Sequence, residues 1–340
     1  MAKECLIVAP GQLELRDYAV PQPQAHQVKV RMEFGAAKHG TEMAFFKGYF
    51  GEHGDWDAAY QVFRRPARRS PYPFGAGNTC VGVVEAIGGE VTRLKPGDHV
   101  FNYSHFREVA LWPDTVRILP EGVSWKAAVC LDPADFAMGA LRDGHVRIGD
   151  AVAVFGLGAI GQFAVQLARL AGAHPVIGVD PIKLRRDVAG RCGADLLLDP
   201  AQEDVALRIK QETGKRGADV CVDFSGSDRA LHEALRAVAY GGTVVAGSFP
   251  KPGCPHLDLG AEAHMNRPTL VFSRSCSEPN PDYPRWDEGR IMDSCWRMLS
   301  EGMLRADEIV QPVVPFAAIL EEYPKIESAP EDSIKLGVRF

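Results

Sequence analysis

The sequence predicts an α/β protein in which a doubly wound parallel sheet is joined to a second, β-rich domain. Three features of the chain predict it. Residues 1 to about 130 carry short apolar alternations broken by many Gly and Pro turns. From about 134 the texture changes to buried apolar runs alternating with helical stretches, and the first of those runs opens onto a Gly-X-Gly-X-X-Gly turn. Strands alternating with helices build a parallel sheet covered by helices on both faces.

In chain order, Gln27-Val28-Lys29-Val30-Arg31-Met32 alternates with the period of a half-buried strand. Tyr49 to Ser70 is a long, turn-rich insertion. Gly82-Val83-Val84-Glu85-Ala86-Ile87-Gly88 is a second strand, and Lys95-Pro96-Gly97-Asp98-His99-Val100 is a turn feeding another. Beyond 134 the buried strands are Ala151 to Phe155, Val176 to Val179, Asp219 to Phe224, Thr243 to Ala246 and Thr269 to Phe272. After about 276 the chain is irregular, then helical through Ile291 to Leu304, and it ends in an apolar alternation from Ile334 to Phe340.

The glycine turn is Gly156-Leu157-Gly158-Ala159-Ile160-Gly161. Its first glycine permits a tight turn, its second lets backbone N–H groups approach a pyrophosphate, and its third lets the following helix pack closely on the strand. Ile160, Phe163, Ala164, Leu167, Ala168 and Ala171 recur at helical spacing, and Gly172 stands where that helix stops. Phosphate then sits at the positive end of the helix. Gly156, Gly158, Ala159, Ile160 and Gly161 are the expected cofactor contacts. Nineteen residues after Gly161 the next strand delivers Asp180. A carboxylate there accepts hydrogen bonds from a ribose diol and repels a 2′-phosphate, which favours NAD over NADP. Lys183, Arg185 and Arg186 follow, suited either to a phosphate or to a solvated helix face; Arg185 is counted with the cofactor contacts.

The 340 residues suffice for two domains, and a formal charge of -6 argues against nucleic acid or an anionic membrane as partner. No apolar stretch reaches spanning length, and Met1-Ala2-Lys3-Glu4-Cys5 lacks the apolar core of a secretion signal. Eight scattered cysteines without a Cys-X-X-Cys pair suggest neither a disulfide framework nor a cysteine zinc lobe, and fit the cytoplasm.

Over nearly its whole length the chain resembles the medium-chain dehydrogenase/reductase superfamily, the zinc-type alcohol and polyol dehydrogenases. Gly40-Thr41-Glu42, Gly82-Val83-Val84-Glu85 with the Pro-Gly-Asp turn at 96 to 98, Asp132-Pro133, the glycine fingerprint and Gly241-Gly242 carry the resemblance, in that order and spacing. It implies a GroES-like catalytic domain, 1–133 with 276–340, and a Rossmann NAD-binding domain, 134–275, with the active site in the cleft between them. It implies also that Lys335, in Ser333-Ile334-Lys335, meets the cofactor pyrophosphate; the residue taken by itself reads equally as a solvated strand-edge charge.

Hydride transfer from an alcohol carbon to nicotinamide leaves an oxygen that must lose a proton and be stabilised meanwhile. Zinc-type members use a metal held by Cys, His and a third ligand. In this chain the cysteine position before Gly40-Thr41-Glu42 is His39, the histidine position is Asn78 in Gly77-Asn78-Thr79, and only Asp132 looks ligand-like. His39, Asn78 and Asp132 make a poor zinc site, because an amide oxygen is a weak neutral donor. Cys80 or His105 are the available substitutes. His105, in Tyr103-Ser104-His105-Phe106, resembles the stretch bordering the substrate pocket. The competing reading is metal-free: His39 as imidazolium donates to the substrate oxygen, Asp132 or Glu42 orients it, and Thr41 relays the proton. Lys38, read as lying in a strand, would point to the opposite side.

In the insertion, Arg64, Arg65, Arg68 and Arg69 beside Trp56, Tyr60 and Phe63 suit an anionic or carbohydrate ligand, or else a solvated loop or subunit contact. The expected activity is interconversion of a secondary alcohol of a sugar, polyol or cyclitol with its ketone, using NAD. A metal-free quinone or enone reductase and a catalytically silent NAD-binding protein are the alternatives. Thr269 to Phe272, last in its sheet, is an edge that invites a symmetric partner, so a homodimer is expected.

Overall fold

The computed structural model describes residues 1–65, 72–248, 253–274 and 281–340. The chain divides into two compact units, residues 1–129 with 310–340, and residues 130–309.

In the first unit the main sheet runs Arg117–Ile118, His99–Tyr103, Thr79–Ile87, Gln27–Ala36, Lys335–Arg339, Val310–Pro315, with Val109–Pro113 also pairing to Gln27–Ala36. Val28, Val30 and Met32 are buried at alternate positions, while Lys29 and Arg31 pair with Glu85 on the next strand. That is the period-two pattern the sequence carries. The register sets Ala36 opposite Thr79, and Thr79 opposite Tyr103. Three neighbouring strands therefore finish level, and whatever follows or precedes them gathers at one end of the sheet. The C-terminal strand lies antiparallel to Gln27–Ala36, with Gly337 opposite Ala36, so the tail reaches that same end. A smaller sheet holds Gln12–Tyr18, Ala2–Ala9 and Phe74–Gly75.

Lys38 and His39 are not in a strand. The strand stops at Ala36, Lys38 is the N-cap, and His39–Phe46 is a helix whose last four residues are buried. Phe45 stacks on Phe74 at 3.9 Å and on Phe50 at 4.2 Å, which fixes the helix against the smaller sheet. Part of the insertion is ordered as a hairpin, Asp55–Asp57 with Val62–Arg64.

The second unit is a six-stranded parallel sheet in the order Leu196–Leu198, Val176–Val179, Val152–Phe155, Ala218–Asp223, Val238–Ala246, Thr269–Phe272. Numbered along the chain this is 3-2-1-4-5-6, and strand order reverses between Val152–Phe155 and Ala218–Asp223. Ligands of open α/β sheets bind at that crevice. Thr269–Phe272 is an edge strand. Helix Glu288–Ser300 belongs to this unit: Ile291, Cys295 and Leu299 are buried at four-residue spacing, and Cys295 Sγ lies 3.9 Å from Met138 Sδ of helix Leu131–Asp143. The chain thus returns to the first unit at Val310 rather than near the expected 276, because that helix packs on helix Leu131–Asp143 of the second unit. No helix among the described residues is long and apolar enough to cross a membrane.

Candidate active site

The nucleotide end is built by close approach of backbone. Gly156 has φ +83°, and a Cβ there would lie 2.6 Å from Ser225 N; a Cβ on Gly161 would lie 2.0 Å from Gly156 O. Only glycine fits either position. Gly158 is different: a Cβ there meets nothing within 4 Å, and it is the N-cap of helix Ala159–Leu170 with no side chain capping the first turn. Open space in front of uncapped N–H groups at the positive end of a helix fits a diphosphate. A dinucleotide held by Gly158, Ala159 and Ile160 would be the hydride acceptor.

Asp180 ends the second strand, but its carboxylate is only 2% exposed. Its Oδ2 accepts the Leu157 N–H at 2.7 Å and its Oδ1 the Ile182 N–H at 2.8 Å. The acid thereby fixes the fingerprint turn, and each oxygen retains a second acceptor position for a ribose hydroxyl. Arg185 Nη1 stands 3.8 Å from Asp180 Oδ2, Arg186 donates to the Asp180 carbonyl and pairs with Asp199, and Lys183 pairs with Asp187. Gln162, which the sequence reading passed over, is fully buried and donates to Leu157 O at 2.9 Å and Arg185 O at 2.8 Å. Its signal was a polar residue immediately after the third glycine, repeated one turn on at Gln166, which is also buried. Asp223, at the crevice, accepts from Ser225 N and Oγ, and burial pushes its carboxyl up to about 6.

In the β-rich unit the organising group is Glu42. It is buried, and its carboxylate accepts the Lys38 N–H, the Gly77 N–H at 2.7 Å and the Tyr323 hydroxyl at 2.7 Å. Burial raises its proton affinity; these donors and the Lys335 ammonium act against that. Glu42 is therefore committed to backbone and phenol, not to orienting the His39 ring. Lys335 is fully buried, its Nζ donating to Ala37 O at 2.8 Å. Lys335 starts an interior strand, and its charge acts on the buried Glu42.

The tail also sets the state of His39. Leu336 N–H donates to His39 Nε2 at 2.8 Å, while Ala37 N–H donates to Leu336 O at 2.9 Å. A ring nitrogen that accepts an N–H carries no proton, so the proton is on Nδ1 and the ring is neutral. This corrects the imidazolium reading: a doubly protonated ring would set two N–H groups against each other. Asn78 N–H donates to Ala36 O, its carbonyl accepts from Ser104 N–H at 3.0 Å, and its amide donates to Thr79. Thr41 is half-buried in the first turn of the His39 helix. His105 Nε2 lies 2.8 Å from Glu4 Oε2. Asp132 lies in the other unit, buried in the first turn of helix Leu131–Asp143.

These residues do not fit a catalytic zinc. Neither nitrogen of His39 has a lone pair to give, Asn78 is a neutral donor already bonded, and the Cys80 thiol is buried against the Ser104 carbonyl with burial pushing its ionisation well up. His105 is held by Glu4 through Nε2, and its one remaining ring nitrogen does not by itself make a zinc site. Among the described residues no three His, Cys, Asp or Glu side chains form a metal-binding group. In the hairpin, Arg64 pairs with Asp57 and lies over Tyr60, and Arg65 reaches His53 O. Arg68 and Arg69 lie outside the described residues.

The alcohol dehydrogenase GroES-like domain family matches residues 24–113, and the zinc-binding dehydrogenase family matches residues 159–286. D-guloside 3-dehydrogenase of Escherichia coli K12 is 45% identical over 99% of this chain and 100% of its own length. The chain belongs to the medium-chain dehydrogenase/reductase superfamily. It has a GroES-like unit and a Rossmann unit, and it is an oxidoreductase of the alcohol/ketone kind that uses a nicotinamide dinucleotide. Among solved structures, a putative zinc-binding dehydrogenase from Sinorhizobium meliloti bound to NADP has a TM-score of 0.78 at 20% identity, covering 100% of this chain and 99% of its own. A short chain alcohol dehydrogenase from E. coli CFT073 complexed with NADH has a TM-score of 0.76 at 20% identity, with the same coverage. Both show the same fold.

Gly161→Ala is expected to cost about 1–3 kcal/mol or more in thermal unfolding, since its Cβ meets backbone. Gly158→Ala is expected to cost under about 1 kcal/mol and yet to weaken dinucleotide binding by about tenfold or more in calorimetry; equal binding by this variant would mean that phosphate does not sit there. For Asp223, a folded-state value above the unfolded one means stability that is full below about pH 4 and lost as pH rises through about 6. Asp223→Asn should therefore raise stability at neutral pH by about 1–3 kcal/mol and give no gain near pH 4. A lower melting temperature for the variant at neutral pH would contradict this.

Proposed function

We propose that this protein is an NAD-dependent dehydrogenase that oxidises a secondary ring hydroxyl of a hexopyranoside to the ketone, and reduces the keto-sugar in reverse, without zinc. The observation that carries the cofactor choice is Asp180, fixed by Leu157 N–H at the end of the second strand, where the added charge of a 2′-phosphate would meet a buried carboxylate. The sugar class rests on the full-length likeness to a glycoside 3-dehydrogenase.

In this reading the dinucleotide takes the hydride, and the chain's own residues handle the oxygen. His39, neutral with its proton on Nδ1, donates to the substrate oxygen and steadies the charge that develops there. A neutral imidazole is a usable electrophile for such an oxygen. Asn78 and His105, at the same end of the sheet, bind substrate hydroxyls, and Thr41 passes a proton outward. Nothing in this scheme requires the reduction of a carbon–carbon double bond, and the engaged, pre-set ring of His39 does not suit a silent binding protein.

The protein is proposed to work in the cytoplasm, where its seven described free cysteines stay reduced. It is proposed to form a homodimer through the edge strand Thr269–Phe272, whose Phe272 is 76% exposed. Light scattering should give twice 37.0 kDa; a mass of one chain would remove the dimer.

The function is tested by turnover of methyl hexopyranosides with each dinucleotide, on protein purified without chelator and again after chelation. NAD should be preferred by about a hundredfold in kcat/KM, the scale of one unfavourable charge contact at a partly buried site. Activity should survive chelation. Preference for NADP, or activity lost on chelation and restored by zinc, would overturn the respective half of the proposal.

A further inference from the structure

Oxidation of an alcohol needs a group that accepts the hydroxyl proton, and His39 is unsuited to that because both of its nitrogens are already assigned. A second histidine has the opposite arrangement. His105 Nε2 stands 2.8 Å from Glu4 Oε2, and a carboxylate only accepts, so Nε2 holds the proton and Nδ1 presents a lone pair. Glu4 comes from strand Ala2–Ala9 and is held in turn by Arg107 Nη2 at 3.3 Å. Both members are only partly covered, at 27% exposure for the histidine side chain and 16% for the acid, so the ring is reachable while its partner is fixed.

The position fits as well as the chemistry. Ala36, Thr79 and Tyr103 are in register, so His39, Asn78 and His105 all belong to one end of the sheet. The segment is held there by Ser104 N–H to Asn78 O at 3.0 Å and Phe106 N–H to Ala76 O at 2.7 Å. Gly75 makes room for the ring: a Cβ on it would lie 2.6 Å from His105 Cγ and 3.0 Å from Nδ1.

We propose that His105 is the catalytic base of this reaction and Glu4 its positioning residue. As the substrate C–H bond breaks and its electron pair passes as hydride to the nicotinamide, the O–H bond breaks and its proton moves to Nδ1, leaving a C=O bond. The imidazolium is steadied by Glu4 and then gives its proton to solvent; in the reverse direction it protonates the new alkoxide. Two histidines thus divide the work, one fixed as donor by the Leu336 N–H and one fixed as acceptor by the Glu4 carboxylate. Burial draws the His105 ring below the ordinary imidazole range, the bond to Glu4 opposes this and Arg107 adds to it.

This inference rests on the dehydrogenase reading above, and the experiment separates the two. Full-length wild type, His105→Asn, Glu4→Gln and Glu4→Asp are assayed with NAD and a methyl hexopyranoside that wild type oxidises, with NAD binding followed by calorimetry. His105→Asn should lose about 10²–10⁴-fold in kcat, with KM within about threefold and NAD binding unchanged. Glu4→Gln should fall almost as far, because an amide can donate to Nε2 and move the ring proton to Nδ1, and Glu4→Asp should recover part of it. Wild-type kcat/KM should fall on the acid side with a slope of one, and that fall should vanish in His105→Asn. Retention of wild-type kcat and of the acid limb by His105→Asn overturns the base. Wild type that binds NAD but oxidises no alcohol overturns the dehydrogenase reading, and the base with it.

Discussion

The β-rich unit is arranged around one buried carboxylate. An acid taken out of water costs several kcal/mol unless donors replace its hydration. Glu42 finds them in three stretches far apart in sequence: the Lys38 N–H at its own helix start, the Gly77 N–H, and the Tyr323 hydroxyl from the returning tail. Each donor brings something with it. The helix start carries His39 and Thr41, the Gly77 turn carries Asn78, and the tail carries Leu336, which sets the His39 ring. Lys335 supplies the compensating charge within the same core. The site geometry and the stability of this unit therefore share one set of bonds, and a change at Glu42 would disturb all three strands' ends together.

The nucleotide unit uses the same device in a different place. Asp180 spends one acceptor position on the second residue of the glycine turn, and Gln162 ties that turn to the helix after the second strand through Leu157 O and Arg185 O. Backbone amides aimed at a diphosphate are effective only if they do not reorganise when it arrives. Two buried polar side chains keep them still, and only Gln162 is occupied entirely with the protein's own backbone.

What the sequence disclosed and what it hid divide along contact distance. The strand, glycine turn and helix from Ala151 to Gly172 are specified by neighbours, as is the position of Asp180, so both were legible. The alternation Val28-Lys29-Val30-Arg31 announced a strand with one face buried, and that is how it packs. By contrast, the protonation of His39 depends on Leu336, almost the whole chain away, and no local pattern encodes it. Lys335 reads locally as a surface or phosphate-binding charge; only the strand pairing with Gln27–Ala36 shows that it starts in the core. The return at Val310 was hidden for a similar reason, since a helix does not state which sheet its buried face will meet. Glu4 carried no signal at all before its strand came beside His105.

The two altered metal positions, His39 and Asn78, and the neighbouring Cys80 are coherent as a set, which is stronger than any one of them. A thiolate ligand must ionise, and the buried Cys80 strongly resists ionisation. An imidazole ligand needs a lone pair, and the Leu336 N–H takes the one on Nε2 while Nδ1 keeps its proton. Asn78 contributes neither charge nor a strong donor. A site that had merely lost one ligand would leave the others exposed and poised for an ion; here His39 Nε2 and the Cys80 sulfur have been given other work. In the zinc-free reading proposed above, what a metal would have done, polarise the oxygen and lower the barrier to losing its proton, falls to hydrogen-bonding groups, and those must differ in direction: one has to give a proton's field to the oxygen, another has to receive the proton. Two identical, freely tautomerising rings would spend part of their time in the wrong arrangement. A backbone N–H against one ring and a carboxylate against the other remove that ambiguity before substrate arrives.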